Sequence, residues 1–147
     1  MTTIDTVTAQ GVAAVHPQLI QLTRDLYDHP EIAWEEVRSA QRVAGQLSDN
    51  GFHVTQRYCD IDTAFAAQIG SGDLHIALCA EYDALPGLGH ACGHNLISAI
   101  TVGAALAFAA AEAGREVFAA EVGLDEHLPR LLDRDAAPVG YEGRDLV

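Results

Sequence analysis

The stretch from residue 74 to residue 111 constrains the fold most, because a glycine-rich loop joins an apolar run to a long uncharged segment. Residues 74–80 are nearly all apolar, which is typical of a strand buried on both faces. The loop at residues 84–94 contains proline and several glycines, which interrupt regular structure. A helix is predicted over residues 96–113, with Asn95 as its N-cap. A strand–loop–helix unit of this kind indicates an α/β domain.

Two helices are predicted ahead of this unit. Residues 12–28 place leucines at spacings of three and four, which predicts an amphipathic helix, and the residue before Pro30 ends it. A second helix is predicted over residues 34–47, with Glu35 and Glu36 in its first turn, where the helix dipole favours negative charge. The chain therefore begins with two helices that can cover a sheet.

Two further strands are predicted between these helices and the apolar run. Residues 52–58 begin with alternating side chains, and residues 63–69 are mostly apolar. Few residues separate the two strands, so they can form an antiparallel hairpin, and a parallel order is the alternative. Residues 70–73, Gly-Ser-Gly-Asp, have the composition of a hairpin turn after the second strand.

The charge of the chain excludes several classes of partner. Its 8 basic residues against 21 acidic ones give a net charge of −13. Nucleic acid and anionic membrane surfaces are therefore not expected partners, because both need a basic face. A membrane span is an alternative for residues 96–113, but the run lacks basic flanks, so a buried core helix is favoured. The 3 cysteines lack a framework spacing and no signal peptide is evident, so a cytoplasmic location is expected.

Five side chains around the loop carry the candidate chemistry. His90, Cys92 and His94 occupy alternate positions, so in an extended backbone they point to one side and can converge. Imidazole and thiolate are ligands that zinc and similar divalent ions prefer. Glu81 and Asp83 follow the apolar strand, at the edge where open α/β sheets bind ligands. Either carboxylate can bind metal or accept the second N–H of a histidine.

Other interpretations of these residues remain open. Each residue alone is commonly structural, as a small buried cysteine or a turn-capping aspartate. Cys92 beside His94 at a helix start also allows a thiol nucleophile, although no orienting third group is evident. Cys79, within the apolar strand, and Cys59, beside a polar turn, are predicted to be structural. The clustering around one loop favours a site that binds metal and activates water.

Residues 79–95, Cys-Ala-Glu-Tyr-Asp-Ala-Leu-Pro-Gly-Leu-Gly-His-Ala-Cys-Gly-His-Asn, resemble the peptidase M20 family. The form of this loop is most similar to the amidohydrolase subfamily and, within it, to a group of M20-domain dipeptidases. His29-Pro30-Glu31, followed by Trp34-Glu35-Glu36, resembles an early segment of the same family. The resemblance covers residues 12–113.

The resemblance implies a hydrolase that uses two divalent ions, zinc or manganese, to cleave an amide bond in a dipeptide or an N-acyl amino acid. It implies that Cys92 and His94 are metal ligands and that Asp83 is the catalytic carboxylate that orients the site. Glu81 and His90 are candidate ligands or supporting residues. Two metal ions sharing a water lower its pKa and polarise the scissile carbonyl. The implied fold is a three-layer α/β/α domain, the N-terminal part of a zinc-peptidase-like catalytic unit.

Residues 115–147 depart from the family pattern. Family members continue after the long helix into a strand ending in two glutamates, one a general base and one a metal ligand, and further ligands follow. Here the tail is rich in acids and predicts a short helix with a loose end. Glu121, Glu126 and His127 lie in a different context and take no role. We expect a catalytic segment at residues 1–114 and a divergent tail at residues 115–147.

Whether the chain is an enzyme by itself stays open at this point, since the general base and the later ligands are not matched. A site with only two protein ligands holds metal poorly, because tight sites use three or four. We expect a truncated hydrolase that is inactive alone. The alternative is a non-catalytic remnant that associates through an exposed sheet edge, with another copy or with a partner chain.

Overall fold

The computed structural model describes residues 3–70, 75–111 and 116–121. Within these ranges the chain forms 3 α-helices and 4 strands. In chain order they are α1 (Thr3–Asp28), α2 (Val37–Ser48), β1 (His53–Gln56), β2 (Phe65–Ile69), β3 (His75–Cys79), α3 (His94–Ala111) and β4 (Glu116–Glu121), with a 3-10 turn at Tyr58–Asp60. Helices packed on one sheet confirm the predicted α/β class.

The four described strands form one sheet in the order β1-β2-β4-β3. β1 and β2 are antiparallel, with Val54 opposite Ala67, so the predicted hairpin is confirmed. β4 pairs antiparallel with β2 and parallel with β3. Because β4 lies between them, β2 and β3 do not form the hairpin that residues 70–73 predicted. A strand from far along the chain decides this order, and turn composition cannot reveal it.

The prediction that β3 is buried on both faces is wrong. Among the described strands, β3 pairs only with β4 and lies at an edge of the sheet. Residues 76–78 are partly buried and Cys79 is exposed, so the expected burial of Cys79 is also wrong. Apolar composition shows that a strand prefers a dry environment, but it does not show whether other elements cover its faces.

α1 begins at Thr3 rather than at residue 12, and it ends at Asp28 as predicted. The residues at its start include threonines and a glycine, which have weak helix propensity. At the predicted start the helix already packs on α3, since a Cβ on Gly11 would lie 3.6 Å from the Cα of Ala107. The tertiary contact outweighs the local preference.

α2 begins at Val37 rather than at residue 34, because the chain turns sharply before it. Trp34 has a φ of 73°, a left-handed conformation that costs a bulky residue about 1–2 kcal/mol. Glu36 occupies the N-cap position and makes no side-chain capping bond. The prediction that Glu35 and Glu36 lie in the first helical turn is therefore wrong.

α3 begins at His94, after Gly93 with a φ of 79°. Asn95 therefore lies inside the first turn, and its prediction as N-cap is wrong. Its side chain is buried, and the amide donates to the carbonyl oxygen of Thr23 over 3.3 Å. Asn95 thus connects α3 to α1 instead of ending its own helix.

One face of α3 packs in the core, and another face is open. Ser98, Val102 and Ala105 are buried, whereas Ile100 is 69% exposed. By length and composition α3 could cross a membrane, but a helix in the core of a soluble protein meets the same criteria. The burial of one face agrees with the predicted core helix.

The core lies where the three helices meet the sheet. α1 packs along α3, while α2 packs across β1 and β2. The largest fully buried apolar side chains come from all these layers: Phe65, Leu22, Leu26, Leu47, Val43 and Val102. This core supports the loop that follows β3.

The first residues of the predicted tail belong to the sheet. Residues 116–121 form β4, which pairs with strands on both sides. The tail was expected to hold a short helix and a loose end, and residues 116–121 instead form a strand of the sheet. Residues 122–147, including the predicted short helix, lie outside the described residues, and the division at residue 114 stays a prediction.

Replacement of Leu22 by alanine tests this core. Leu22 is fully buried on α1, so Leu22→Ala should lower the free energy of unfolding by about 2–5 kcal/mol. Urea unfolding followed by circular dichroism measures the change. Leu96→Ala is the matched control, because Leu96 is 53% exposed and its loss should cost about 0.5 kcal/mol or less. Equal losses in the two variants would contradict the packing of α1.

Candidate active site

The segment from Glu81 to Asp83 begins two residues after β3 ends, at the carboxyl end of that strand. Tyr82 is 5% exposed, stacks on Phe65 with ring centroids 6.3 Å apart, and donates its hydroxyl hydrogen to the carbonyl oxygen of Thr63. The side chains of Glu81 and Asp83 remain partly exposed. A buried tyrosine therefore anchors a segment that presents two carboxylates at the sheet edge.

His94 lies between these two carboxylates. Its Nδ1 is 2.6 Å from Oδ1 of Asp83, and its Nε2 is 3.3 Å from Oε2 of Glu81. The shorter contact fits an N–H at Nδ1 that donates to Asp83, which leaves Nε2 as the basic nitrogen of the neutral ring. The structure thus brings three of the five predicted site residues together.

The loop between β3 and α3 is bound to the end of α1 and to the segment after it. The amide of Ala84 donates to the carbonyl oxygen of Glu31 over 2.7 Å. Nε2 of His90 lies 3.0 Å from the carbonyl oxygen of Leu26. These contacts join residues far apart in sequence, so they fix the loop only once α1 has packed.

α3 holds the site segment from its other side. The hydroxyl of Ser98 donates to the carbonyl oxygen of Glu81 over 2.6 Å, and the hydroxyl of Thr101 donates to that of Cys79 over 3.1 Å. These bonds satisfy backbone acceptors where the sheet ladder ends. They also fix Glu81 relative to the helix that begins at His94.

The prediction that His90 converges with Cys92 and His94 in an extended backbone is wrong. The residues form a turn that leads into α3, with Gly93 in the left-handed region. His90 is buried, and desolvation lowers its pKa below 6.5. Cys92 is exposed, whereas the ring of His90 turns inward towards α1. An alternating pattern places side chains on one side only in an extended strand.

The described residues do not bring together enough donors for a metal ion. Within residues 3–70, 75–111 and 116–121, no group of three or more His, Cys, Asp or Glu side chains is arranged to hold a metal ion. His94 with Asp83 at its Nδ1 has the orientation usual for a metal-binding histidine. Tight sites need three or four protein donors. The described residues therefore do not by themselves fit a complete metal site.

Glu31 supports the site in a way that the sequence patterns did not show. Its carboxylate accepts hydrogen bonds from the amide of Arg38 at 3.1 Å and from the amide and hydroxyl of Ser39, both at 2.7 Å. The two amides lie at the N-terminus of α2 and have no partner within the helix. Glu31, which precedes the helix in the chain, therefore caps it. A local capping pattern joins residues about three positions apart. Glu31 lies 7 and 8 positions before the residues that it caps, so no local pattern predicts its role.

Glu36 is a second carboxyl group that the sequence patterns did not identify. It is only 3% exposed, and burial raises its pKa above 4.5, with a smaller rise from the negative charge of Asp83. Hydrogen bonds from Thr63 and from the backbone of Trp34 and Glu36 oppose this rise. A buried acid behind the site segment is therefore part of the structure.

The buried carboxyl of Glu36 makes stability depend on pH. Because its pKa is raised in the folded chain, the folded state holds the proton more tightly, and the free energy of unfolding falls as pH rises above 4.5. Glu36→Gln should remove this fall, so the variant gains stability relative to the wild type towards neutral pH. Urea unfolding between about pH 4 and pH 8 measures the difference.

The exposed neighbour Glu35 provides the control for this prediction. Glu35→Gln should leave the pH dependence of unfolding unchanged. A stability difference between Glu36→Gln and the wild type that stays constant with pH would contradict a buried acid at residue 36.

Comparison with known proteins identifies relatives of the chain. No family model matches the chain. Over 114 residues it is 36% identical to one of the subunits of p-aminobenzoyl-glutamate hydrolase from Escherichia coli, in a match that covers 66% of this chain and 24% of that protein. It is also 36% identical over 117 residues to Xaa-Arg dipeptidase of Mus musculus, covering 70% of this chain and 26% of that protein. The chain spans about a quarter of the length of these relatives.

The fold gives the same result. A dinuclear metal-binding peptidase of the M20 family from Bacillus subtilis superposes on the chain with a TM-score of 0.63 and 28% sequence identity. The match covers 74% of this chain and 35% of that one. Sequence relatives and fold point in the same direction, so the chain belongs to the amidohydrolase subfamily of the M20 peptidases.

Proposed function

We propose that this chain carries part of the active site of a hydrolase that cleaves an amide bond in a dipeptide or an N-acyl amino acid. The observation that carries the proposal is His94, held 2.6 Å from Asp83 and 3.3 Å from Glu81 at the end of β3. This cluster lies in the part of the chain that resembles M20 enzymes. A relative named as a dipeptidase and another named as a hydrolase of p-aminobenzoyl-glutamate support the substrate class.

In this proposal Asp83 determines which ring nitrogen of His94 carries the hydrogen. By accepting the Nδ1 hydrogen, it keeps Nε2 free to bind or to accept a proton, and it holds the ring in one orientation. Glu81 lies beside Nε2, where its carboxylate is placed to be a further ligand or a supporting residue. The arrangement is made before substrate arrives, so little reorganisation is needed during reaction.

Cys92 and His94 are the proposed metal ligands, and the ions are divalent, zinc or manganese, with two in a complete site. The similar peptidase from Bacillus subtilis is described as dinuclear and metal-binding, which supports divalent metal. The remaining donors and the general base must come from outside the described residues. His90, buried behind the loop, is proposed to support the ligands rather than to bind metal.

The proposal extends to the substrate, the partners and the cellular location of the chain. The substrate is a small molecule, and the net charge of −13 argues against nucleic acid and anionic membranes. A cytoplasmic setting, and assembly with another copy or a partner chain that completes the site, are part of the proposal.

Metal binding by the 147-residue chain tests the proposal, and weak binding is expected because the described residues supply only part of the donors. The purified chain is dialysed against zinc or manganese, and bound metal is measured by mass spectrometry. Asp83→Asn should weaken metal binding by about 10–100-fold, because the ring of His94 loses its orienting partner. His94→Ala and Cys92→Ala should each abolish binding, together with any hydrolysis of N-acyl amino acids or dipeptides.

Cys79→Ala is the matched control, since Cys79 is another exposed cysteine and lies on β3. It should bind metal as the wild type does. Equal metal affinity in the wild type, Asp83→Asn and His94→Ala would contradict the proposal.

A second candidate function is association without catalysis. Two observations favour it: β3 pairs on one side only among the described strands, and α3 has an open face with Ile100 exposed. Unpaired strand edges and open apolar faces promote association. Self-association in light scattering, together with no metal binding, would favour this candidate over the first.

A further inference from the structure

Glu36 has a carboxyl group that neither the helix nor the candidate active site uses. It occupies the N-cap position of α2 without capping the helix, because Glu31 bonds the first amides instead. Its side chain is turned into the interior, and only 3% of the residue is exposed. A buried carboxyl group that does not cap a helix still needs hydrogen-bond partners, because burying a polar group without them is costly.

A small cavity lies beside this carboxyl group. It has room for about one water molecule. Its walls come from the turn before α2, the segment before β2 and the site segment: Ala33, Trp34, Glu36, Ile61, Thr63, Ala64 and Tyr82. The cavity is therefore large enough for one water molecule and lies next to the carboxyl group of Glu36.

One oxygen of Glu36 remains to be satisfied. Oε2 is fully buried, and no donor among the described residues reaches it. Thr63 and the backbone of Trp34 and Glu36 bond to the same carboxyl group. Thr63 and Tyr82 also line the cavity and carry hydroxyl groups that can accept a hydrogen bond. A water with two to four polar partners is the normal occupant of such a cavity.

We propose that this cavity is a binding site for one water molecule, which donates a hydrogen bond to Oε2 of Glu36 and a second to a hydroxyl oxygen of the wall. The water and Glu36 together fill the space behind Tyr82. Since Tyr82 separates Glu81 from Asp83 in the chain, the occupied cavity fixes the carboxylates of the site from behind. Glu36 is thus a positioning residue, and the site exists whether or not the chain hydrolyses an amide bond.

The turn at Trp34 supports this assignment independently. Trp34 is held at a φ of 73°, and the same residue lines the cavity. Strained residues of this kind persist where the surroundings determine them and are frequent at functional sites. The strained turn places Glu36 against the cavity rather than at the surface of α2.

A high-resolution crystal structure of the full chain tests the cavity directly, and three variants extend the test. In the wild type and in Glu36→Gln, we expect a water within about 3 Å of the side-chain oxygen of residue 36. In Glu36→Leu the oxygen is gone, so the water should be lost. Glu35→Gln changes an exposed neighbour and should keep the water.

The positioning role has a separate readout, the NMR resonance of the Nδ1 hydrogen of His94, which reports its bond to Asp83. The chemical shift of this resonance should differ from the wild type in Glu36→Leu. It should equal the wild-type value in Glu36→Gln and in Glu35→Gln. If Glu36→Leu does not fold, Ala64→Val, which narrows the cavity, replaces it and should also displace the water.

Two results would overturn the proposal. One is a wild-type structure in which a protein donor, and not water, bonds Oε2 of Glu36. The other is a His94 resonance that is the same in Glu36→Leu, or in Ala64→Val, as in the wild type. Neither result depends on metal binding or hydrolysis, so the proposed function is judged by its own experiment.

Discussion

The attachment of the loop after β3 to the end of α1 is the contact on which the site depends. Ala84 donates to the carbonyl oxygen of Glu31, and His90 bonds that of Leu26. Both acceptors lie where α1 ends or just beyond it, so the loop takes its shape from a helix far away in sequence. A glycine-rich loop has many conformations of its own, and these bonds select one of them. The selected form places Asp83 against His94.

The segment between α1 and α2 carries two glutamates whose carboxyl groups lie in opposite environments. Glu31 directs its carboxylate to the free amides of α2 and its backbone carbonyl to the loop. Glu36, further along the chain, turns inward and lies behind Tyr82. One acid is stabilised by donors at a helix start, where negative charge is favoured. The other is desolvated, and its raised pKa follows from that burial.

Local sequence was informative where the signal is local. The end of α1 before Pro30, the β1–β2 hairpin and the place of Glu81 and Asp83 at the end of β3 were all predicted. The starts of α1 and α2 were not, since α1 already packs on α3 at its predicted start and the strained turn at Trp34 delays α2. The order of the sheet also escaped prediction, since β4 enters between two strands that precede it.

The sequence by itself determined which chemical groups stand near the loop and which family the chain belongs to, because residue type and spacing are local properties of the chain. Only the tertiary structure decided how these groups meet. His90 turns towards α1 while His94 joins Asp83, since a turn, and not a strand, connects them. The burial of Glu36 was likewise decided by its neighbours, because solvent exposure depends on residues brought together by folding and not on adjacent positions in the chain.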